Sequence, residues 1–115
     1  MFKNQNRLKT NFEFNITRKH GKRHKGEYFS IFVLKPKDYK GPTKFGVVVP
    51  NKLHKKATKR NKLKRVFREI LRKNLDIFPD NLWIVVHPFK NALDKSYEKI
   101  STDFNKTLQK ISFSS

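Results

Sequence analysis

Between two short apolar runs of this chain the hydrophobic period switches from that of a strand to that of a helix and back. Residues 44–49 (KFGVVV) and 82–87 (LWIVVH) are rich in β-branched and aromatic side chains. Between them Leu63, Val66, Phe67, Ile70 and Leu71 recur at i, i+3, i+4, i+7 and i+8, one apolar stripe at the helical period. Strand, helix, strand is a βαβ unit, so strands 44–49 and 82–87 are expected to run parallel in one sheet. A run as continuously apolar as 82–87 predicts a strand covered on both faces.

The flanks extend this to an α/β (α+β) two-layer sandwich, a small mixed sheet with packed helices in the order α-β-β-α-β-α. Residues 12–20 read as a short helix stopped by Gly21. Residues 22–26 (KRHKG) read as a basic turn. Residues 28–35 alternate as a strand, with Phe29, Ile31 and Val33 on one face and Tyr28, Ser30, Phe32 and Leu34 on the other. After the turn region 36–42, spacing suggests a hairpin between 28–35 and 44–49. Leu93, Tyr97, Ile100, Phe104, Leu108 and Ile111 mark a last helix, with Asn91 or Asp94 as candidate cap. Residues 1–115 are expected to form a single domain, with 1–11 extended or loosely ordered.

Charge narrows the function. The 115 residues carry 28 Lys and Arg against 9 Asp and Glu, a formal net charge of +19. Self-repulsion at that level opposes compactness, and a polyanion relieves it. Eleven Phe in periodic apolar segments argue against disorder. Eight of the fourteen residues from 52 to 65 are Lys or Arg. The run leads into the central helix, with Thr58 as candidate N-cap and Lys59, Arg60 and Lys62 in the turn that follows. Cations there oppose the positive end of the helix dipole, by roughly 0.3–1 kcal/mol each when exposed. Free backbone N–H groups beside Arg and Lys make a phosphate site, so the local conflict reads as functional. The bland alternative is a solvated charged face.

Other chemistries find little support. There is no Cys for a disulfide or thiolate metal site. His20 and His24 stand at i, i+4, but Gly21 and a crowd of cations make zinc a poor reading, and His87 reads as structural. The carboxylates are scattered, and no nucleophile–base pair stands out. No secretory h-region and no apolar run near the roughly 18 residues of a membrane span is visible, so the chain is expected to be cytoplasmic.

The stretch 45–72 resembles the signature of the bacterial ribonuclease P protein subunit. That family opens its basic helix with Arg-Asn-Arg; here the motif stands as Arg60-Asn61-Lys62, followed by Leu63, Lys64, Arg65 and then Arg68-Glu69. Lys62 keeps the charge of the family's third position and loses the planar fork. Asn6 to Lys9, Phe14 seven residues before Gly21, the strands and the last helix fall in family order. Arg18 stands where members often carry a second aromatic.

The resemblance implies a left-handed βαβ crossover, against the usual hand. It implies a protein subunit of a ribonucleoprotein endonuclease that removes the 5′ leader of precursor tRNA. Catalysis would reside in the RNA subunit with magnesium held mainly by that RNA, and the protein alone would be inactive. The partners would be the catalytic RNA and precursor tRNA, with no membrane and no stable protein partner. Lys52, Lys55, Lys56, Lys59, Arg60, Asn61, Lys62, Lys64, Arg65 and Arg68 would meet the catalytic RNA. Phe14, Arg18, Tyr28, Ser30 and Phe32 would line a leader-binding cleft, where stacking is worth about 1–3 kcal/mol per base. A core role for these aromatics remains the competing reading. The alternative function is another structured-RNA-binding protein, such as a ribosomal protein, without leader recognition.

Overall fold

The computed structural model describes residues 6–112. Helix α1 (Asn11–His20) is followed by strands β1 (Lys22–Lys25), β2 (Phe29–Leu34) and β3 (Lys44–Val47), helix α2 (Ala57–Lys73), strand β4 (Trp83–Pro88) and helix α3 (Tyr97–Gln109). Short 3-10 turns stand at Asn51–Leu53, Leu75–Ile77 and Lys90–Ala92.

The sheet order is β1-β2-β4-β3. β3 and β4 are parallel neighbours joined through α2, as the period switch predicts. The expected hairpin between β2 and β3 does not form. β4 lies between them, antiparallel to β2; Ile84, Val85 and Val86 are fully buried, so it is covered on both faces as a central strand is. The hairpin partner of β2 is β1, the stretch read as a turn: Lys22–Lys25 pairs antiparallel with residues 30–33. β1 has no apolar residue, so hydrophobic patterning is blind to it. It is an edge strand, charged as exposed edges usually are.

One face of the sheet carries the core. Phe29 and Ile31 of β2, Phe45 and Val47 of β3, and Ile84 and Val86 of β4 meet Leu63, Phe67, Ile70 and Leu71 of α2 and Ile100, Phe104 and Leu108 of α3. Phe29 stacks on Phe104 at 4.8 Å between ring centroids and leans on Phe67 at 5.8 Å. Each such ring removed from water is worth about 1.5–3 kcal/mol. The apolar stripe read from the sequence is therefore the buried face of α2.

Helix α1 lies across the opposite face, against β2 and β4. Its start is fixed by a reciprocal cap: Glu13 N–H donates to Thr10 Oγ1, and Glu13 Oε1 accepts from the N–H of Thr10. Burial alone would raise the pKa of Glu13, but the N–H groups of Lys9 and Thr10 and the charge of Lys44 hold it below its ordinary value. Thr17 is fully buried beneath the helix. Ahead of α1, Asn6 donates to the Thr43 carbonyl and Leu8 N–H to the Phe45 carbonyl, at 3.0 Å each. Asn6 to Leu8 are thus docked along β3, with Leu8 buried.

Two caps differ from the sequence reading. Ser96, not Asn91 or Asp94, caps α3 by accepting from Lys99 N–H at 3.2 Å. Asn91 instead donates to the Glu27 carbonyl. The cap position of α2 is Lys56, with Thr58 already inside the helix. Among the described residues no helix is long and apolar enough to cross a membrane.

Candidate nucleic-acid interface

Helix α2 begins without a side-chain cap and with no acidic residue in its first turn. Its leading N–H groups therefore face outward among cations. Lys55, Lys56, Lys59, Asn61, Lys62 and Arg65 are exposed; Arg60 and Lys64 are half-buried. The loop ahead of the helix is shaped by His54: its Nδ1 accepts from Lys56 N–H at 3.0 Å, and its carbonyl accepts from Arg60 Nη1 at 2.5 Å. Arg60 thus spends one donor on the loop and keeps the rest of its fork for a partner. Lys52 is exposed on the 3-10 turn beside it.

The second cluster lies on the sheet face beneath α1. Ser30 and Phe32 of β2 share that face with Val85 and His87 of β4 and Gly46 of β3, by the alternation of the strands. Phe14 of α1 packs its ring onto Gly46, where any Cβ would collide with it. Phe14 and Phe32 are half-buried, and Arg18 is exposed. Ser30 is buried, and its hydroxyl accepts from Arg23 Nε at 3.0 Å. Since Arg23 stands opposite Phe32 in the β1–β2 register, this bond holds a guanidinium over the face beside the Phe32 ring.

Tyr28 goes elsewhere. The carboxylate of Asp103 on α3 accepts from the N–H groups of Glu27 and Tyr28, at 3.0 and 2.9 Å. The chain there leaves the strand alternation, and Tyr28 joins the buried cluster on the α2–α3 side of the sheet. It is separated by the sheet from Phe14 and Phe32.

Two contacts tie the clusters together. His87 stands opposite Ser30. Burial first, and then the charges of Arg18 and Lys52, hold its pKa below the ordinary histidine value, against an opposing backbone hydrogen bond at Pro88. The charges that act on His87 thus come from α1 and from the basic loop. On the other side, Arg7, Phe14, Gly46 and Arg68 line one small pocket, and burial and the charge of Arg7 both act against the Arg68 guanidinium. Arg68 of α2 thus reaches the rim of the α1 cluster. The two groups read separately from the sequence thus meet at the pocket that Arg68 and Phe14 share.

The model of the Ribonuclease P family matches residues 2–112. The chain belongs to the ribonuclease P protein family. The ribonuclease P protein component of Thermotoga maritima is 39% identical over 100 residues, covering 86% of this chain and 81% of that protein. That of a Pseudanabaena species is 34% identical over 110 residues, covering 96% and 94%. The solved ribonuclease P protein of Thermotoga maritima superposes with a TM-score of 0.78 at 33% identity, over 92% of this chain and 97% of that one. The Staphylococcus aureus protein superposes with a TM-score of 0.79 at 25% identity, over 90% and 93%. The fold implied by the resemblance is thereby shown: a mixed α+β sandwich with a small mixed sheet and packed helices.

As a ribonuclease P protein, the chain is the protein part of a ribonucleoprotein endoribonuclease of tRNA processing, and RNA is its partner. Three residues beside the candidate site escaped sequence reasoning. Arg23 was hidden by the reading of 22–26 as a turn; a strand there would have put it opposite Phe32. His87 read as structural because the charges that act on it come from α1 and the loop, far away in sequence. Arg7 lay in the segment expected to be loose. Among the described residues no group of three or more His, Cys, Asp or Glu is placed to hold a metal ion.

Proposed function

We propose that this ribonuclease P protein binds the catalytic RNA through the start of α2 and holds the single-stranded 5′ leader of precursor tRNA in the cleft beneath α1. In this reading Lys52, Lys55, Lys56, Lys59, Arg60, Asn61, Lys62, Lys64, Arg65 and Arg68 meet RNA phosphates. Charge-assisted contacts of this kind position a partner and carry little sequence information. Phe14 and Phe32 offer ring faces to unpaired bases, while Arg18 and Arg23 meet the leader backbone. Tyr28 is left out of the cleft. Magnesium, in the same reading, is held by phosphates of the RNA subunit, and the cationic surface lowers the repulsion between two RNA chains.

The observation that carries this proposal is continuity. Arg68 of the basic helix and Phe14 of the cleft line one small pocket, and the charges of Lys52 and Arg18 both act on His87, which stands opposite Ser30. One RNA-bound surface can therefore present a single strand to the other. The test is reconstitution with the matching catalytic RNA at low magnesium, using precursors with a long leader and with a one-nucleotide leader. The protein should raise cleavage of both and tighten binding of the long-leader precursor selectively. Equal tightening of both would assign the protein to the catalytic RNA alone. Cleavage by protein without RNA, abolished by changing one carboxylate, would place the chemistry in the protein.

A further inference from the structure

The two flanks of α1 do different things. Thr17 points down into the sheet, fully buried. Phe14 and Arg18, one helical step of four apart, flank it on the cleft side. Phe12, Ile16 and His20, also at steps of four, lie on the other flank. There they form one wall of a second groove, of about 950 Å³. Its floor is Leu34 and Trp83, paired in the β2–β4 register, and its far wall is the turn at 35–39, ending in Tyr39.

This groove is aromatic and cationic together. Phe12 is 65% exposed, an unusual position for a ring in a chain that has a core to bury it in. Tyr39 and Trp83 meet at 5.8 Å with their planes 49° apart, and Lys44 lies 5.4 Å over the Tyr39 ring. The indole N–H of Trp83 is the one buried side-chain polar atom, among the described residues, without a hydrogen-bond partner. Lys35, Lys37 and His20 rim the groove against a single acid, Asp38.

We propose that this groove is a second contact for single-stranded RNA, taking unpaired nucleotides by stacking on Phe12 and the Tyr39–Trp83 pair. Charge decides the occupant. A second copy of a chain with net charge +19 would bring like charge onto the lysine rim. An apolar peptide would leave those lysines without counter-ions. Ring faces between cations suit a base and its phosphate at once. The proposal rests on the RNA-binding reading of the protein and not on the leader cleft, which lies on the other flank of α1. An RNA strand could pass both sides of the helix, gripped on one flank by Phe14 and Arg18 and on the other by Phe12.

Trp83 is the only tryptophan of the chain, so its fluorescence reports on this groove. The full-length protein is titrated with single-stranded oligouridylate about six nucleotides long, within the usual span of such sites. A saturable change in Trp83 emission is expected. Phe12→Ala, at an exposed position that leaves the fold intact, should weaken it about five- to a hundred-fold. Phe14→Ala should move the midpoint less than Phe12→Ala, while impairing long-leader binding in the holoenzyme. An unchanged emission, or an equal response to duplex RNA of the same length, would overturn the proposal. So would a midpoint shifted by Phe14→Ala and not by Phe12→Ala. A change in emission with protein concentration alone would assign the groove to a second copy instead. A wild-type holoenzyme that binds long- and short-leader precursors alike, with an intact Trp83 response, would discard the cleft and keep the groove.

Discussion

The ring of Phe14 lies against the backbone of Gly46, so closely that a Cβ on residue 46 would overlap Cε1 and Cζ of the ring. A strand glycine here is a platform for an aromatic from another layer. Gly46→Ala should therefore displace Phe14 and lower stability by about 1–3 kcal/mol, as overpacking does. Phe14→Ala should remove the conflict, so that the double variant loses less than the sum of the singles. Thermal unfolding of the four proteins checks this. Additive losses would mean that the ring does not rest on Gly46 in solution.

Arg65 and Arg60 are expected to differ. Both stand on the one-signed start of α2, but Arg60 also holds the His54 carbonyl, and Arg65 is exposed. Arg65→Ala should weaken binding to the catalytic RNA and reduce the slope of log K against log salt by about 0.7–0.9, the loss of one phosphate contact. Arg60→Ala should cost more, since the loop loosens as well. Lys110→Ala, at the exposed end of α3, should change neither quantity. Binding measured over a salt series decides it; equal effects at all three positions would mean undirected attraction to a polyanion.

Phe32→Ala should impair recognition of long leaders more than assembly with the catalytic RNA. The ring is half-buried, so truncation should not reach the roughly 3–5 kcal/mol that a fully buried Phe costs. Phe67→Ala, fully buried in the core, supplies the comparison for that larger loss. Unfolding measured beside affinity for long- and short-leader precursors separates the roles. A Phe32 variant as unstable as the Phe67 one, with both leaders affected alike, would make Phe32 a core residue.

His87 predicts a pH dependence of known sign. Its folded pKa is lowered by burial, then by Arg18 and Lys52. Between that lowered value and the ordinary one of about 6.5, the unfolded chain binds more protons than the folded one, so stability falls as pH drops through this window. RNA acts the other way, because a phosphate between Arg18 and Lys52 favours the imidazolium. RNA affinity should therefore rise as pH falls from about 8 to about 6. His87→Gln should flatten both trends. His24, also lowered by burial and by Lys22, is the control: His24→Gln should leave the RNA trend in place.

What was legible in the sequence is what lies in local periodicity. The stripe from Leu63 to Leu71 is the buried face of α2, and the continuous run at 82–87 is the central strand. The Arg60-Asn61-Lys62 motif carried the family, over a match of nearly the whole described chain. What was not legible depends on partners far away. β1 is held by its pairing with β2 and by the Arg23–Ser30 bond, and shows no apolar signal. Tyr28 changes sides because Asp103, 75 residues on, takes its N–H. The Thr58 cap failed because the loop geometry set by His54 starts the helix at Ala57. The true cap of α1 was readable: Thr10 and Glu13 stand at the spacing of a capping box.

The central place of β4 also bears on how the protein comes into being. β2 and β3 precede it in the chain and never pair with each other. A nascent chain emerging N-terminus first holds both strands with their inner edges open until residues 83–88 arrive. The sheet can close only by insertion of its last strand, a non-local step that slows folding and leaves apolar edges exposed meanwhile. The strongly cationic α2 is made before that closure. A stalled chain ending short of Trp83 would therefore be charged enough to cling to nucleic acid and too incomplete to fold around its core.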